Sequence, residues 1–224
     1  MSASLPAAPD AVIFDFDGVI IDSTEPVRSA LADTIAHYGL PARAPAELDR
    51  FIGPPSAVAF SEMAGQPAES DLVAQMIKTY RGHYAAIYLE RTTLVPGIAA
   101  VLAELTGPLA IATSKTIDFV SPLLERLTIE QYFDVVSGPA STTPDEPKTV
   151  TLARALDQLR RAGPAERPVI VGDRSFDIVA AHANQIMAIG VTWGVGDRHE
   201  LEAAGAEVII DHPDELAGVL EPLS

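Results

Sequence analysis

Cysteine is absent from all 224 residues. That excludes disulfides, a thiolate nucleophile and any zinc site built on thiolates. Basic residues are scarce: 15 Lys and Arg face 31 Asp and Glu, for a formal charge of −16. Nucleic-acid polymers and anionic membrane surfaces are gripped by clustered Lys and Arg, so neither is an expected partner. No apolar run approaches the roughly 20 residues of a membrane span. Residues 1–10 have neither the basic stretch nor the apolar h-region of a signal peptide. The five histidines (His37, His83, His182, His199, His212) show no metal-ligand spacing. Internal repeats and long low-complexity tracts are also missing. The expectation is a soluble, cytoplasmic protein, monomeric or homodimeric.

Apolar residues make up 48% of the chain and charged residues 21%, enough to bury a core without wholesale disorder. The length suits one large domain, or a medium domain carrying an insertion. Short apolar runs at 12–16, 109–112, 134–136, 169–171, 187–191 and 208–210 suit strands buried on both faces, as in a parallel sheet. Helical periodicity lies between them. Ile98, Val101, Leu102 and Leu105 recur at i, i+3, i+4, i+7, and Leu152, Leu156 and Leu159 at i, i+4, i+7. The alternation predicts an α/β fold, a Rossmann-like doubly wound parallel sheet.

The alternation stops between about residues 23 and 91, where only helical stripes appear. One comprises Val27, Ala30, Leu31, Thr34, Ile35 and Tyr38. The other comprises Leu72, Val73, Met76, Ile77, Tyr80, Tyr84, Ile87 and Tyr88. Between them, Phe51-Ile52-Gly53-Pro54-Pro55 is expected to turn, because two prolines lack amide donors. The organisation expected is a core of 1–19 and 92–224 with an inserted α-helical cap at 20–91. An immobile all-helical extension of the core is the plainer alternative.

Polar residues gather at the predicted strand ends, where the crevice of an open parallel sheet lies. Asp15-Phe16-Asp17-Gly18-Val19 follows the first strand. Asp15 and Asp17 share a face of an extended chain, and Gly18 permits a sharp exit. Two carboxylates about 4 Å apart repel by roughly 4 kcal/mol at an effective dielectric of 20. A proton or a divalent cation between them relieves this. Caps and turns use such acids too. The segment Gly172-Asp173-Arg174-Ser175-Phe176-Asp177 repeats the pattern, with Asp177 expected in the first turn of a helix. Asp173 or Ser175 capping that helix is the alternative. Oxygen ligands so spaced suit Mg²⁺. Thr113 and Ser114 offer hydroxyls and amides for an anionic oxygen. Lys148 opens a predicted helix against the macrodipole, so something else must hold it.

These motifs, in this order, resemble the haloacid dehalogenase-like hydrolase superfamily across essentially the whole chain. The cap phrase at 51–55, Pro96-Gly97-Ile98, Ala112-Thr113-Ser114-Lys115 and Gly172-Asp173-Arg174-Ser175 resemble its phosphoglycolate-phosphatase-like group. The resemblance implies hydrolysis of a small phosphorylated metabolite through an aspartyl-phosphate. It makes Asp15 the nucleophile and Asp17 the acid and base. Thr113 and the Ser114 amide, beside Gly18, would hold the phosphoryl group. Lys148 would neutralise charge. Mg²⁺ would take Asp15, the Asp17 carbonyl, Asp173 and, directly or in an outer shell, Asp177. Charge balance agrees, since four carboxylates and a phosphate dianion need more than one lysine.

Asp17 argues against dehalogenases and the ATPase relatives. The absence of an arginine shortly after Gly53 disfavours a sugar-phosphate mutase. A pyrophosphatase and a phospho-accepting regulator without turnover stay as alternatives. Thr149-Val150 after Lys148 departs from the usual Lys-Pro-x-Pro, which leaves Lys115 as a second candidate cation. Trp193, after a strand, is read as a crevice wall or as packing. Arg50, Lys78, Arg81 and Arg91 are candidate substrate contacts or solvated charges.

Overall fold

A computed structural model describes residues 5, 8–52, 56–143 and 146–220. The expected turn at 53–55 lies outside them, as do Pro144 and Asp145. The chain forms two compact units, Met1–Asp22 with Leu94–Ser224, and Ser23–Thr93.

The first unit begins with β1 (Ala11–Phe14), whose residues are all buried, and the short β2 (Ile21–Asp22). After the second unit the chain runs through β3 (Thr93–Leu94), α5 (Ile98–Glu104), β4 (Leu109–Ala112) and α6 (Ile117–Leu127). Then come a 3₁₀ turn (Glu130–Tyr132), β5 (Val135–Ser137), α7 (Lys148–Ala162) and β6 (Pro168–Gly172). The last elements are α8 (Ser175–Ala183), β7 (Met187–Val191), α9 (Arg198–Ala204), β8 (Val208–Ile210) and α10 (Glu215–Leu220). The sheet order is β5-β4-β1-β6-β7-β8, and every pair is parallel. This is the α/β fold the alternation implies. Helices cover both faces, so β1, β4 and β6 are apolar at every position rather than alternating.

The ends of β1, β5 and β6 differ from expectation by one or two residues, and for two of those ends the cause is visible. β1 stops at Phe14, because the chain turns after Asp15, whose amide still bonds the Val171 carbonyl at 2.8 Å. β5 starts one residue late, at Val135. Asp134 instead brackets Leu109, donating its amide to the Leu109 carbonyl (2.9 Å) and accepting the Leu109 amide on its carboxylate (3.0 Å). With β4 and β5 on one side of β1 and β6 to β8 on the other, the connections diverge at β1. The crevice of such a sheet opens at that switch, beyond the carboxyl ends of β1, β4 and β6.

The second unit contains α1 (Thr24–His37), α2 (Pro45–Asp49), α3 (Ser56–Ala64) and α4 (Asp71–Arg91). Val27, Ala30, Leu31, Thr34 and Ile35 of α1 are buried, and α1 packs along α4. Ser70 caps α4, accepting the Val73 amide at 3.3 Å. Val73, Met76, Tyr84 and Tyr88 form the buried stripe of α4, while Leu72 is exposed. Leu72 and Val73 point about 100° apart on a helix, and the seam is narrow enough to take only one of them. Tyr80, Tyr84 and Tyr88 stack successively, with centroids 5.9 and 5.3 Å apart, and Phe60 of α3 lies 5.7 Å from Tyr80.

Candidate active site

Four strand ends of the first unit deliver the site. After β1 come Asp15 and Asp17, then Gly18 at φ +81°, a left-handed conformation that suits glycine. Its amide closes the turn on the Ile21 carbonyl at 2.8 Å. After β4 lies Thr113, buried, its amide bonded to the Ser137 carbonyl at 3.0 Å. The Thr113 hydroxyl accepts the Lys115 amide at 3.1 Å, which orients the hydroxyl proton elsewhere. Ser114 is exposed, so it is the backbone amide rather than a packed hydroxyl that position can offer. After β5, Lys148 is the first residue of α7, as its sequence context predicts. After β6 come Asp173 and, in the first turn of α8, Asp177. Arg174, not Asp173 or Ser175, occupies the cap position, and its amide donates to the Asp177 carboxylate at 3.1 Å.

Lys148 is what the sequence leaves unexplained, a cation at the wrong end of a helix. Its ammonium lies 2.5 Å from Asp15 Oδ1 and 2.9 Å from Asp177 Oδ1. Two buried carboxylates outweigh the helix dipole. Burial pulls against the charged lysine, but Asp15 and Asp177 together raise its pKa above the ordinary lysine value. Lys115 is present too, in a different post: its ammonium sits 2.8 Å from Asp17 Oδ1. The two candidate lysines therefore serve different acids.

Asp15, Asp173 and Asp177 each contribute an oxygen to a cluster within 4.8 Å, the one group of potential metal ligands among the described residues. The carboxylate of Asp17 stands outside it. Burial pushes the Asp15 carboxyl up to about 7 against the pull of Lys148, and Asp177 and Asp17 push it further. Asp173 is also raised well above its ordinary value, by burial and then by Asp177 and Asp15. One lysine does not neutralise three buried carboxylates. Asp173 Oδ2 accepts the Val195 amide at 2.8 Å, but its Oδ1 is buried without a hydrogen-bond partner. A buried carboxylate oxygen left bare is costly unless a cation takes it.

Glycines make the space for Asp173. A Cβ on Gly18 or Gly194 would overlap its carboxylate, and one on Gly196 its carbonyl. Gly172 clears Asp177 in the same way. As a sequence motif, Gly194-x-Gly196 is too short for a dinucleotide fingerprint and on that reading gives no sign of this cradle. A pair of glycines straight after a parallel strand was the available signal. Trp193 next to them donates its indole N–H to the Val19 carbonyl at 3.2 Å, tying the loop after β7 to the loop after β1. Glu200 was also missed. It accepts from the Arg174 guanidinium (2.9 Å) and from the Ser175 amide and hydroxyl (2.8 Å each), fastening the loop that carries Asp173. Burial raises Glu200, but these hydrogen bonds outweigh it and hold its carboxyl below the usual range.

With this geometry in hand, the class is clear. The family model for haloacid dehalogenase-like hydrolases matches residues 12–191, and the chain belongs to that family. Among curated relatives, it is 34% identical over 221 residues to a protein named tyrosine-protein kinase PtkA from Mycobacterium tuberculosis, spanning 95% of this chain and 74% of that one. It is 32% identical over 209 residues to the phosphoglycolate phosphatase of Yersinia pestis, spanning 91% and 86% respectively. Among solved structures, a protein described as a predicted phosphatase from Clostridium acetobutylicum superposes with a TM-score of 0.87 at 28% identity, covering 95% of this chain and 98% of that one. Among the described residues no helix is long and apolar enough to cross a membrane.

Proposed function

We propose that the protein is a Mg²⁺-dependent phosphatase that hydrolyses a small-molecule phosphomonoester through an aspartyl-phosphate. Phosphoglycolate-like esters and nucleoside monophosphates are the substrate classes in view. The observation that carries the reading is the carboxylate cluster, with three buried acids, one lysine and a bare Asp173 oxygen. Its donors suit a hard, oxygen-loving cation, for which Asp15, Asp173 and Asp177 supply carboxylate oxygens and Asp17 its carbonyl. Once bound, that ion supplies the positive charge that polarises a phosphoryl group.

The chain's own residues account for the rest. A carboxylate oxygen of Asp15 attacks phosphorus in line, and the ester P–O bond breaks as Asp17 gives a proton to the leaving oxygen. Thr113, whose hydroxyl proton is directed away from its Lys115 contact, and the Ser114 amide hold a phosphoryl oxygen. Lys148 neutralises charge on Asp15 and the transferring group. In the second half a water oxygen bonds phosphorus, Asp17 takes the water proton, and the electron pair of the Asp15–phosphorus bond returns to Asp15. The helical unit is assigned the part of a cap that selects the substrate.

Purified protein should release p-nitrophenol from p-nitrophenyl phosphate with Mg²⁺ and not with EDTA. Asp15→Asn should lose this by at least about a thousandfold with its circular dichroism unchanged. Full activity in that variant would sink the mechanism. The likeness to a protein named as a tyrosine kinase favours one second reading, transfer from a nucleotide to a tyrosine hydroxyl. Incubation with labelled ATP and a tyrosine peptide separates the two. Label on the peptide supports transfer, and free phosphate supports hydrolysis.

A further inference from the structure

Asp15 and Asp17 are two residues apart at one strand end, yet only Asp15 joins the carboxylate cluster. Asp17 instead meets Lys115, whose ammonium lies 2.8 Å from Asp17 Oδ1. Its side chain is only 10% exposed, so this is not a solvated surface pair of the kind that contributes little. The lysine is anchored at its backbone as well. Its amide donates to Thr113 Oγ1 at 3.1 Å. Its carbonyl runs against Gly138, where a Cβ would lie 2.7 Å from the oxygen. The loops after β4 and β5 thus fix Lys115 from both sides, and Lys115 fixes Asp17.

We infer that Lys115 is a positioning residue that holds the Asp17 carboxylate apart from the acidic cluster, where it serves the water-attack half of the reaction. The inference rests on the phosphatase reading above. In that half, water's oxygen bonds phosphorus, the Asp15–phosphorus bond breaks with its electrons returning to Asp15, and the proton goes to Asp17. In this role Lys115 acts through Asp17 and not on the phosphorus or the water. It keeps the Asp17 carboxylate in place to receive the proton.

The test uses the full chain with Mg²⁺ and p-nitrophenyl phosphate, following p-nitrophenol release and acid-stable, hydroxylamine-labile phosphoenzyme. Lys115→Met should give a burst of about one equivalent and then a steady rate about 10- to 100-fold below wild type, with phosphoenzyme accumulating. Lys115→Arg, which keeps the charge, should recover part of the steady rate. Equal loss of burst and steady rate in Lys115→Met would mean a merely structural role and overturn the inference. Wild-type kinetics in Lys115→Met would overturn it too. Asp17→Asn and Asp15→Asn are run beside it. If either of these turns over normally, the phosphatase reading itself fails. If both behave as that reading requires and Lys115→Met accumulates no phosphoenzyme, the positioning role alone is wrong.

Discussion

Both units pair charges at the surface, as Arg198 and Asp211 do in the sheet unit at 46% and 54% exposure, but among the described residues only the sheet unit also buries a cluster of them. In the helical unit, ion pairs lie on the surface. Arg50 pairs with Glu62, both side chains about half exposed, and Arg91 pairs with Glu25 at 3.1 Å, 47% and 60% exposed. Arg28 grips Asp49 with a two-pronged contact that is also partly open to water. In the sheet unit, Lys148, Asp15 and Asp177 meet at 13% exposure or less. Exposed pairs gain little over their separate hydration, whereas buried charges must be matched or they raise the energy of the fold. The buried set is not matched, since acids outnumber lysines in it, and such an excess suits a bound cation. The same residue types thus pair at the surface in both units, and in the sheet unit they also crowd into a buried cluster with an excess of acids.

The sharpest way to break this contrast is to remove a buried cation. Lys148→Met should lower kcat by about 10²–10³-fold, because Asp15 and Asp177 are left facing each other without their shared ammonium. A turnover assay with p-nitrophenyl phosphate reads this, and a loss under tenfold would contradict the role given to Lys148.

Next is the glycine cradle. Gly194 does not have a positive φ, so Gly194→Ala strains no backbone and acts only by crowding Asp173. It should weaken Mg²⁺ activation by about 10- to 100-fold and also lower the thermal midpoint in EDTA, because the added methyl meets the buried Asp173 Cβ and Cγ as well as its oxygen. An unaltered Mg²⁺ titration would show that Asp173 needs no such clearance.

A smaller effect should appear in stability against pH. Asp15 ionises near 3.8 when unfolded and near 7 when folded. Between those values the folded, metal-free protein binds more protons than the unfolded chain, so this group makes stability fall as pH rises from about 4 to about 7. Asp173, also raised, acts in the same direction. The raised pKa of Lys148 acts only at much higher pH. A cation that displaces those protons should therefore raise Tm more at about pH 8 than at about pH 5, by about 2–4 °C per kcal/mol of linkage. Differential scanning fluorimetry with Mg²⁺ or EDTA measures it, and a pH-independent gain would separate metal binding from these carboxylates.

The smallest change belongs to the helical unit. Arg91→Ala should shift stability by only about 0–1 kcal/mol and leave turnover unaltered. A large loss of activity with normal stability would instead give Arg91 a place at the substrate.

Much of the sheet was legible because buried parallel strands are short, apolar runs that depend little on their neighbours. The runs at 109–112, 187–191 and 208–210 coincide with β4, β7 and β8. Strand ends were less legible where a side chain competes for the ladder, as Asp134 does. The stripe of α4 was readable as a period, but Leu72 was wrongly included, because a period gives direction and not the width of the seam. In the site, Asp15, Asp173, Asp177 and Lys148 were visible as polar residues at strand ends and are brought together. Glu200 and the Gly194–Val195 backbone were not, since a brace or a clearance has meaning only relative to what it braces or clears.

By itself the sequence determined the alternation of strands and helices, the acidic excess and the identity of the charged residues at each strand end. These follow from periodicity and composition, which are local properties. Which lysine meets which acid was decided only by the tertiary structure. Lys148 lies 133 residues from Asp15 and Lys115 lies 98 from Asp17 along the chain. Both partners were named by motif, yet either pairing was consistent with it. The order of strands about β1, and the burial that makes an unmatched charge costly, set the assignment.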